Sequence, residues 1–224
     1  MSAARRTPRD ERRRRLGQNF LRADVGERVV AETGVSAGEL VVDVGAGRGA
    51  LSLALARRGA EVTAVEVDPA WARRLRDEAR LFGDRLRVVG ADFLDWRLPA
   101  RPFRVVGCLP YGETTAIMRR LLDDPTVALT RADLIIQWEV ARKRAQAPPS
   151  TLLSTTWAPW WEFRLGRRLP ATLFRPVPAV DGGVLTVLRR DPPILPTVAA
   201  PAYARFLRAE WPFAADPPRH RRAR

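Results

Sequence analysis

Cysteine occurs once in the 224 residues, at Cys108, so no disulfide can close within the chain. Histidine also occurs once, at His220, and the two together are too few for a four-ligand zinc site. Lysine is as scarce: Lys143 is the only one, so the basic side chains are nearly all arginine. No apolar run is long enough to span a bilayer. The N-terminus is basic but lacks the apolar core of a signal peptide. These absences set the expectation of a cytoplasmic, metal-free protein with no membrane segment, working as a monomer.

What is abundant is positive charge. Lys and Arg number 39 against 25 Asp and Glu, a net +14 and a pI near 11.5. That balance points to a polyanionic partner. Arginine grips phosphate with a planar fork and stacks on bases, which suits RNA. Residues 1–15 carry Arg5, Arg6, Arg9 and the run Arg12, Arg13, Arg14 and Arg15, and read as a flexible basic arm. Residues 16–190 read as one domain. Pro192, Pro193 and Pro196 mark a boundary, and 191–224 read as a helical segment ending in a second basic tail.

The most informative stretch is Val41 to Gly49. Leu40–Val44 is apolar apart from Asp43, as in a buried parallel strand. Gly45, Gly47 and Gly49 then permit a tight turn and a close backbone approach to a ligand. A second apolar run, Val62–Val67, carries Glu66 near its end, placed to accept hydrogen bonds from ribose hydroxyls. A third, Leu86–Val89, is followed by Asp92 and Phe93, an acid for an adenine amino group and a ring to cover it. The glycine spacing is not that of a pyrophosphate turn, and no phosphate-binding lysine follows, which excludes a P-loop. Three such signals in order, each at a strand end, point to an S-adenosylmethionine half-site. The fold expectation is α/β, Rossmann-like, with a mostly parallel sheet and a short C-terminal helical appendage.

Beyond the ladder, Asp68 and Pro69 read as the cap and first residue of a helix whose Trp71, Leu75, Ala79 and Phe82 share one face. Strands are expected at Phe103–Val106 and Ala132–Gln137, helices at Ala50–Arg58, Thr114–Leu122 and Glu139–Ala145. Trp160–Leu165 and Val184–Leu188 read as a closing strand pair. Pro201–Trp211 reads as a helix with Tyr203, Phe206, Leu207 and Trp211 as its apolar stripe.

Together these segments resemble the rRNA adenine N6-methyltransferases, and within them the Erm branch that confers macrolide resistance. The resemblance runs from about Leu16 to Leu188. Leu16-Gly17-Gln18-Asn19-Phe20-Leu21 is similar to the family's N-terminal signature. By that resemblance Gln18, Asn19 and Leu21 lie over the methionine part of the cofactor, and Asp43, Gly45, Gly47, Glu66 and Asp92 fall on its cofactor motifs. Gln137–Arg144 and Trp157–Phe163 resemble the Erm branch more than the small-subunit branch. Phe174–Asp181 is similar to the late motif whose phenylalanine packs against the flipped adenine.

Two departures stand out. The family's Asn-Leu-Pro-Tyr reads Cys108-Leu109-Pro110-Tyr111 here. The family also ends in several helices, whereas the residues after Arg190 leave room for one or two short ones. The resemblance implies that Leu109 offers a backbone acceptor to the adenine N6, that Pro110 aims it, and that Tyr111 and Phe174 sandwich the base. Cys108 offers only a weak sulfur acceptor. It is open to three readings: a tolerated replacement, a mark of altered substrate, or a covalent nucleophile. Arg142, Lys143 and Arg144, with Arg164, Arg167 and Arg168, are expected to track phosphates beside the cleft. The expected activity is N6-methylation of adenine in 23S rRNA or its precursor. Methylation of a small molecule and a non-catalytic RNA-binding role are the alternatives.

Arginine–phosphate contacts release counterions, so RNA affinity should fall steeply with salt. Deletion of residues 1–15 should lower the slope of log affinity against log salt and leave S-adenosylmethionine affinity unchanged. A filter-binding series over salt checks this, and an unaltered slope means the arm does not touch RNA.

Overall fold

The computed structural model describes residues 19–215. The Gln18 and Arg12–Arg15 expectations lie outside them. After a short strand β1 (Phe20–Leu21) and helix α1 (Ala23–Thr33), the chain alternates: β2 (Leu40–Val44), α2 (Ala50–Arg57), β3 (Glu61–Val65), α3 (Pro69–Ala79), β4 (Leu86–Val89) and β5 (Phe103–Cys108). Then follow α4 (Thr114–Leu122), β6 (Leu129–Gln137), α5 (Trp138–Arg144), α6 (Leu152–Trp157) and β7 (Trp161–Leu169). The last elements are β8 (Phe174–Arg175), β9 (Gly182–Arg189) and α7 (Ala200–Ala215).

Seven strands form one sheet in the order β4-β3-β2-β5-β6-β9-β7. The first five are mutually parallel, and β9 runs antiparallel between β6 and β7. This is the mostly parallel α/β sheet the strand–helix alternation predicts. Successive residues of a strand face opposite ways, and the core divides accordingly. Val41, Val62, Ala64, Val106 and Ile135 join α1, α2 and α3 on one face. Val42, Val44, Val65, Val105, Leu134 and Ile136 join α4, α5 and the tryptophans Trp157, Trp160 and Trp161 on the other. Both faces of the central strands are covered, which is why they read as continuous apolar runs.

The expected boundaries shift in instructive ways. β3 stops at Val65, so Glu66 lies just past the strand, where its carboxylate is free to turn back. β6 starts three residues early, at Leu129: Thr130 and Arg131 interrupt its apolar run, and the pairing with β5 continues past them with a register shift at Thr130. α3 ends at Ala79 and Phe82 sits on a 3-10 turn, so only Trp71, Leu75 and Ala79 share the buried face. Asp68 caps α3 as expected: its Oδ1 accepts from Ala70 N–H at 2.9 Å, with Pro69 at the first position. α1 and α6 carry no strong sequence signal and were not expected.

The C-terminal segment is tied to the sheet domain. Trp160 Nε1 donates to Leu195 O at 2.9 Å, and Tyr203 stands edge-on to Trp160 with centroids 5.9 Å apart. In place of one or two short helices there is a single α7 of 16 residues. Its expected stripe is broken at Phe206, which is 60% exposed. Among the described residues no helix is long and apolar enough to cross a membrane.

One buried arginine knits the layers. Arg104, on β5, donates to Thr33 O at the end of α1 at 2.5 Å, and pairs with Glu39 at 3.0 Å and Asp133 at 3.4 Å. Asp133 itself is held by Arg131 and Thr186. Substituting Arg104→Met leaves helix carbonyls unmet and weakens a buried ion network. It should cost about 3 kcal/mol of stability, read from the urea midpoint at unchanged slope.

Candidate active site

The sheet order reverses direction between β2 and β5: the chain leaves β2 toward β3 and leaves β5 toward β6. Such a switch opens a crevice past the carboxyl ends of those strands, where open α/β sheets bind ligands. Asp43 near the end of β2 and Cys108 at the end of β5 both border it. Asn19, Phe20, Leu21, Gly45, Gly47 and Arg48 complete the lining.

The glycine turn is built on three left-handed residues, with φ of 70° at Gly45, 52° at Gly47 and 80° at Gly49. A Cβ at Gly47 would stand 2.9 Å from the Phe20 ring, so the turn also lets β1 lie on it. Arg48, between the last two glycines, stacks on Phe20 and Trp71 with its guanidinium carbon 4.9 Å from each centroid. Sequence alone gives Trp71 and Phe20 other roles and does not single out Arg48. Nothing local to an arginine between glycines signals the rings that fold against it.

Asp43 is buried. Its Oδ2 accepts from Ser52 Oγ at 2.5 Å, while Oδ1 is buried with no partner in the protein. Burial pushes its carboxyl up to about 7; the Ser52 hydrogen bond opposes the rise and nearby Glu66 adds to it. Ser52 was not foreseen, although a serine nine residues past the strand acid, at the first turn of α2, is the available signal. Glu66 turns back over the loop: Oε2 accepts from Gly47 N–H and Oε1 from Asp68 N–H, each at 2.7 Å. Burial raises its pKa too, offset in part by those backbone donors. Its neighbour Val67 is 47% exposed, an apolar surface beside the acid that was also overlooked.

Asp92 follows β4 and is exposed, its Oδ1 accepting from Leu94 N–H at 2.9 Å. Phe93, next in the chain, is buried beside Trp96 in the cluster that holds Val65.

On the far side of the crevice, the Cys108–Tyr111 turn leaves β5. Leu109 is buried and its N–H donates to Ile135 O at 3.0 Å. Pro110 O accepts from Glu113 N–H at 3.0 Å and Thr114 Oγ at 3.1 Å, which fixes the turn into α4. Burial pushes the Cys108 thiol up to about 12, with Asp43 adding to it, so the sulfur is protonated at neutral pH. The nucleophile reading, which requires a thiolate, loses its support. Tyr111 is half-buried, its hydroxyl unpaired within the protein, and burial raises its pKa. Phe174 is fully buried, seated against Gly182, where a Cβ would meet its ring at 3.0 Å.

The basic groups are brought together. An open groove of about 450 Å³ joins α5 to β7, lined by Glu139, Arg142, Lys143, Ala145, Gln146 and Leu165. Arg142 pairs with Glu139, Arg164 with Glu162, Arg167 with Glu32 and Arg168 with Asp181, all at the surface. Exposed pairs are worth at most about 1 kcal/mol, so phosphates can displace them. Arg144 is half-buried, donating to Thr151 Oγ1 at 2.9 Å and lying over the Trp157 ring.

Comparison with known proteins agrees with this arrangement. A family model described as Ribosomal RNA adenine dimethylase matches residues 9–211. The chain is 42% identical over 180 residues to an rRNA adenine N-6-methyltransferase of Corynebacterium diphtheriae, covering 80% of this chain and 70% of that one. It is 41% identical over 191 residues to the mycinamicin-resistance protein MyrB of Micromonospora griseorubida, covering 84% of this chain and 60% of that one. Its fold superposes on the crystal structure of the 23S rRNA methyltransferase ErmE with a TM-score of 0.77 at 32% identity, covering 87% of this chain and 80% of that one.

Asp43 makes stability depend on pH with a defined sign. Its folded pKa, about 7, lies above the unfolded value near 3.8. As pH rises through that window the unfolded chain releases the proton first, so stability falls and levels off above 7. Asp43→Asn should abolish this component. The urea midpoint of the wild type should drop between pH 5 and pH 8 relative to the variant, and parallel curves would refute the assignment.

Proposed function

The chain belongs to the ribosomal RNA adenine dimethylase family, and we propose that it methylates the exocyclic N6 of an adenine in 23S rRNA or its precursor, giving macrolide-type resistance. The observation that carries this reading is the meeting, at one switch point, of the Asp43–Gly49 loop and the Cys108–Tyr111 turn. The relatives' names supply the substrate: one is a mycinamicin-resistance protein and one a 23S rRNA methyltransferase. The +14 charge and the groove between α5 and β7 suit an RNA acceptor. The cytoplasm, where rRNA is reached before subunits mature, is the place of action this reading implies.

The donor set suits S-adenosylmethionine. Asp43 Oδ1, buried and unpaired, is chemistry for a cationic group. Glu66 and Asp92 would hold the nucleoside's hydroxyls and amino group, with Val67 and Phe93, each next in the chain to one of these acids, as apolar contacts. Asn19 and Leu21 would close over the amino-acid end. Phe20 borders this crevice and packs on Gly47. The cofactor supplies an electrophilic methyl group on a sulfonium; the protein supplies alignment and hydrogen-bond acceptors.

The amine lone pair is delocalised into the adenine ring. An acceptor held against its N–H bonds draws the nitrogen toward a pyramidal, nucleophilic geometry. The Leu109 carbonyl would be that acceptor, and the hydrogen bonds on Leu109 N–H and Pro110 O keep its peptide from turning. Tyr111 would stack on the flipped base. Cys108, a thiol where the family has an amide, contributes little acceptance.

The test is methyl transfer from tritiated S-adenosylmethionine to protein-free 23S rRNA. Cys108→Ala should remain active through Leu109. Cys108→Asn should match or exceed the wild type, because one oriented hydrogen bond at such a site is worth roughly 2–4 kcal/mol, or a rate factor of about ten or more. Wild type and Cys108→Asn both silent on rRNA, with label instead entering a small molecule, would overturn the reading.

A further inference from the structure

Between β8 and β9 lies a short loop whose two ends are fixed and whose middle is not covered. At its start, Phe174 is fully buried and β8 pairs with β1, Leu21 opposite Phe174. At its end, Asp181 accepts from Ala171 N–H and Arg168 Nε, each at 2.8 Å, and its carbonyl accepts from Trp138 N–H at 3.0 Å. The intervening Pro176-Val177-Pro178-Ala179-Val180 presents Val177 at 53% and Val180 at 46% exposure. Pro176 and Pro178 fix backbone φ, and valine has one strongly preferred rotamer. This is a stiff tip on a rigid base, and it holds two of the exposed large apolar side chains within four residues.

Its position ties it to the site. Gly182 pairs with Gln137 on β6, two residues beyond Ile135, which pairs with Cys108. The Asp181 charge acts on Tyr111, so the loop's root stands beside the turn that would receive the acceptor base. Exposed Arg175 precedes the loop and exposed Arg168 is bonded to Asp181 at its end, so a cation stands at each root of the tip.

Taking a base out of its stack costs a few kcal/mol, and the gap it leaves is apolar on both faces. Proteins that unstack nucleic acid do so by inserting small apolar side chains between base steps while cations hold the phosphates. We infer that Val177 and Val180 form a wedge that fills the stack vacated by the acceptor adenine, with Arg168 and Arg175 on the flanking phosphates. The inference rests on the adenine-methylation reading above and names the residues that open the RNA for it.

The test uses the full chain and two stem–loop RNAs of 23S sequence. One stacks the acceptor adenine normally; the other has an abasic site on each side of it, so there is no stack to vacate. A third copy of the stacked RNA carries 2-aminopurine at the acceptor position and brightens when that base unstacks. The exposed valines can be replaced without disturbing the core. Val177→Ser with Val180→Ser should bind the stacked RNA within about threefold of wild type, yet lose the brightening. It should methylate the stacked RNA roughly tenfold more slowly and the abasic-flanked RNA at the wild-type rate. Val177→Ile with Val180→Ile should restore both signals. Equal losses on the two RNAs, no loss on either, or failure of the isoleucine pair to rescue would overturn the wedge. So would a loop that instead binds a protein and leaves RNA unstacking untouched. Wild type that brightens the 2-aminopurine RNA but methylates neither substrate would sink the methylation reading and leave the wedge standing.

Discussion

Strand direction at the middle of the sheet constrains everything else. β2 and β5 are hydrogen-bonded neighbours, but the chain turns opposite ways after each. The connections diverge, and a crevice is left that neither side fills. Backbone at its edge must therefore be shaped without bulk, which is why β2 ends in left-handed glycines and β5 in a Leu-Pro turn. The buried Asp43 borders that crevice, its Oδ2 held by Ser52 and its Oδ1 without a partner in the protein. Move the switch point and the glycine loop, Glu66 and the Cys108–Tyr111 turn no longer address one volume.

How much of this could be read from the chain follows physical rules. β2 is legible to the residue because it is an apolar run before a glycine turn, buried on both faces, and β4 because Leu86, Val88 and Val89 stand between turn signals although Arg87 is exposed. The α3 cap is legible because Asp-Pro is chemically specific to a helix start. The acids at the ends of β2 and β3 are legible because an ionisable group interrupting an apolar run demands a reason. The burial of Phe93, Phe174 and Arg144 is not legible in this way. Whether a ring or guanidinium faces a cleft or the core is settled by elements distant in sequence: Gly182 for Phe174, and Thr151 and Trp157 for Arg144. The same holds for Ser52 and Arg48, whose partners meet them only after folding.

The arginine excess has two destinations. Arg104, Arg144 and Arg189 are spent inside, each replacing several backbone or hydroxyl partners; Arg189 alone donates to the carbonyls of Pro125, Val127 and Leu129 and lies on Trp161. A planar group with five donors closes loops that one lysine ammonium cannot. Net charge therefore overstates the RNA-facing surface, and the exposed arginines of β7 and α5 are the better measure of it.

The two-residue ribbon of β1 and β8 has a consequence of its own. It fastens the segment that lies on the glycine turn, through Phe20, to the start of the loop carrying Val177 and Val180. If Phe20 lifts to admit one ligand, the ribbon carries the displacement to Arg175 and the loop beyond it. The two ligands then share a mechanical element, and whatever one does to the affinity of the other must be returned in equal measure. Order of binding becomes a property of two hydrogen-bonded residue pairs rather than of either pocket.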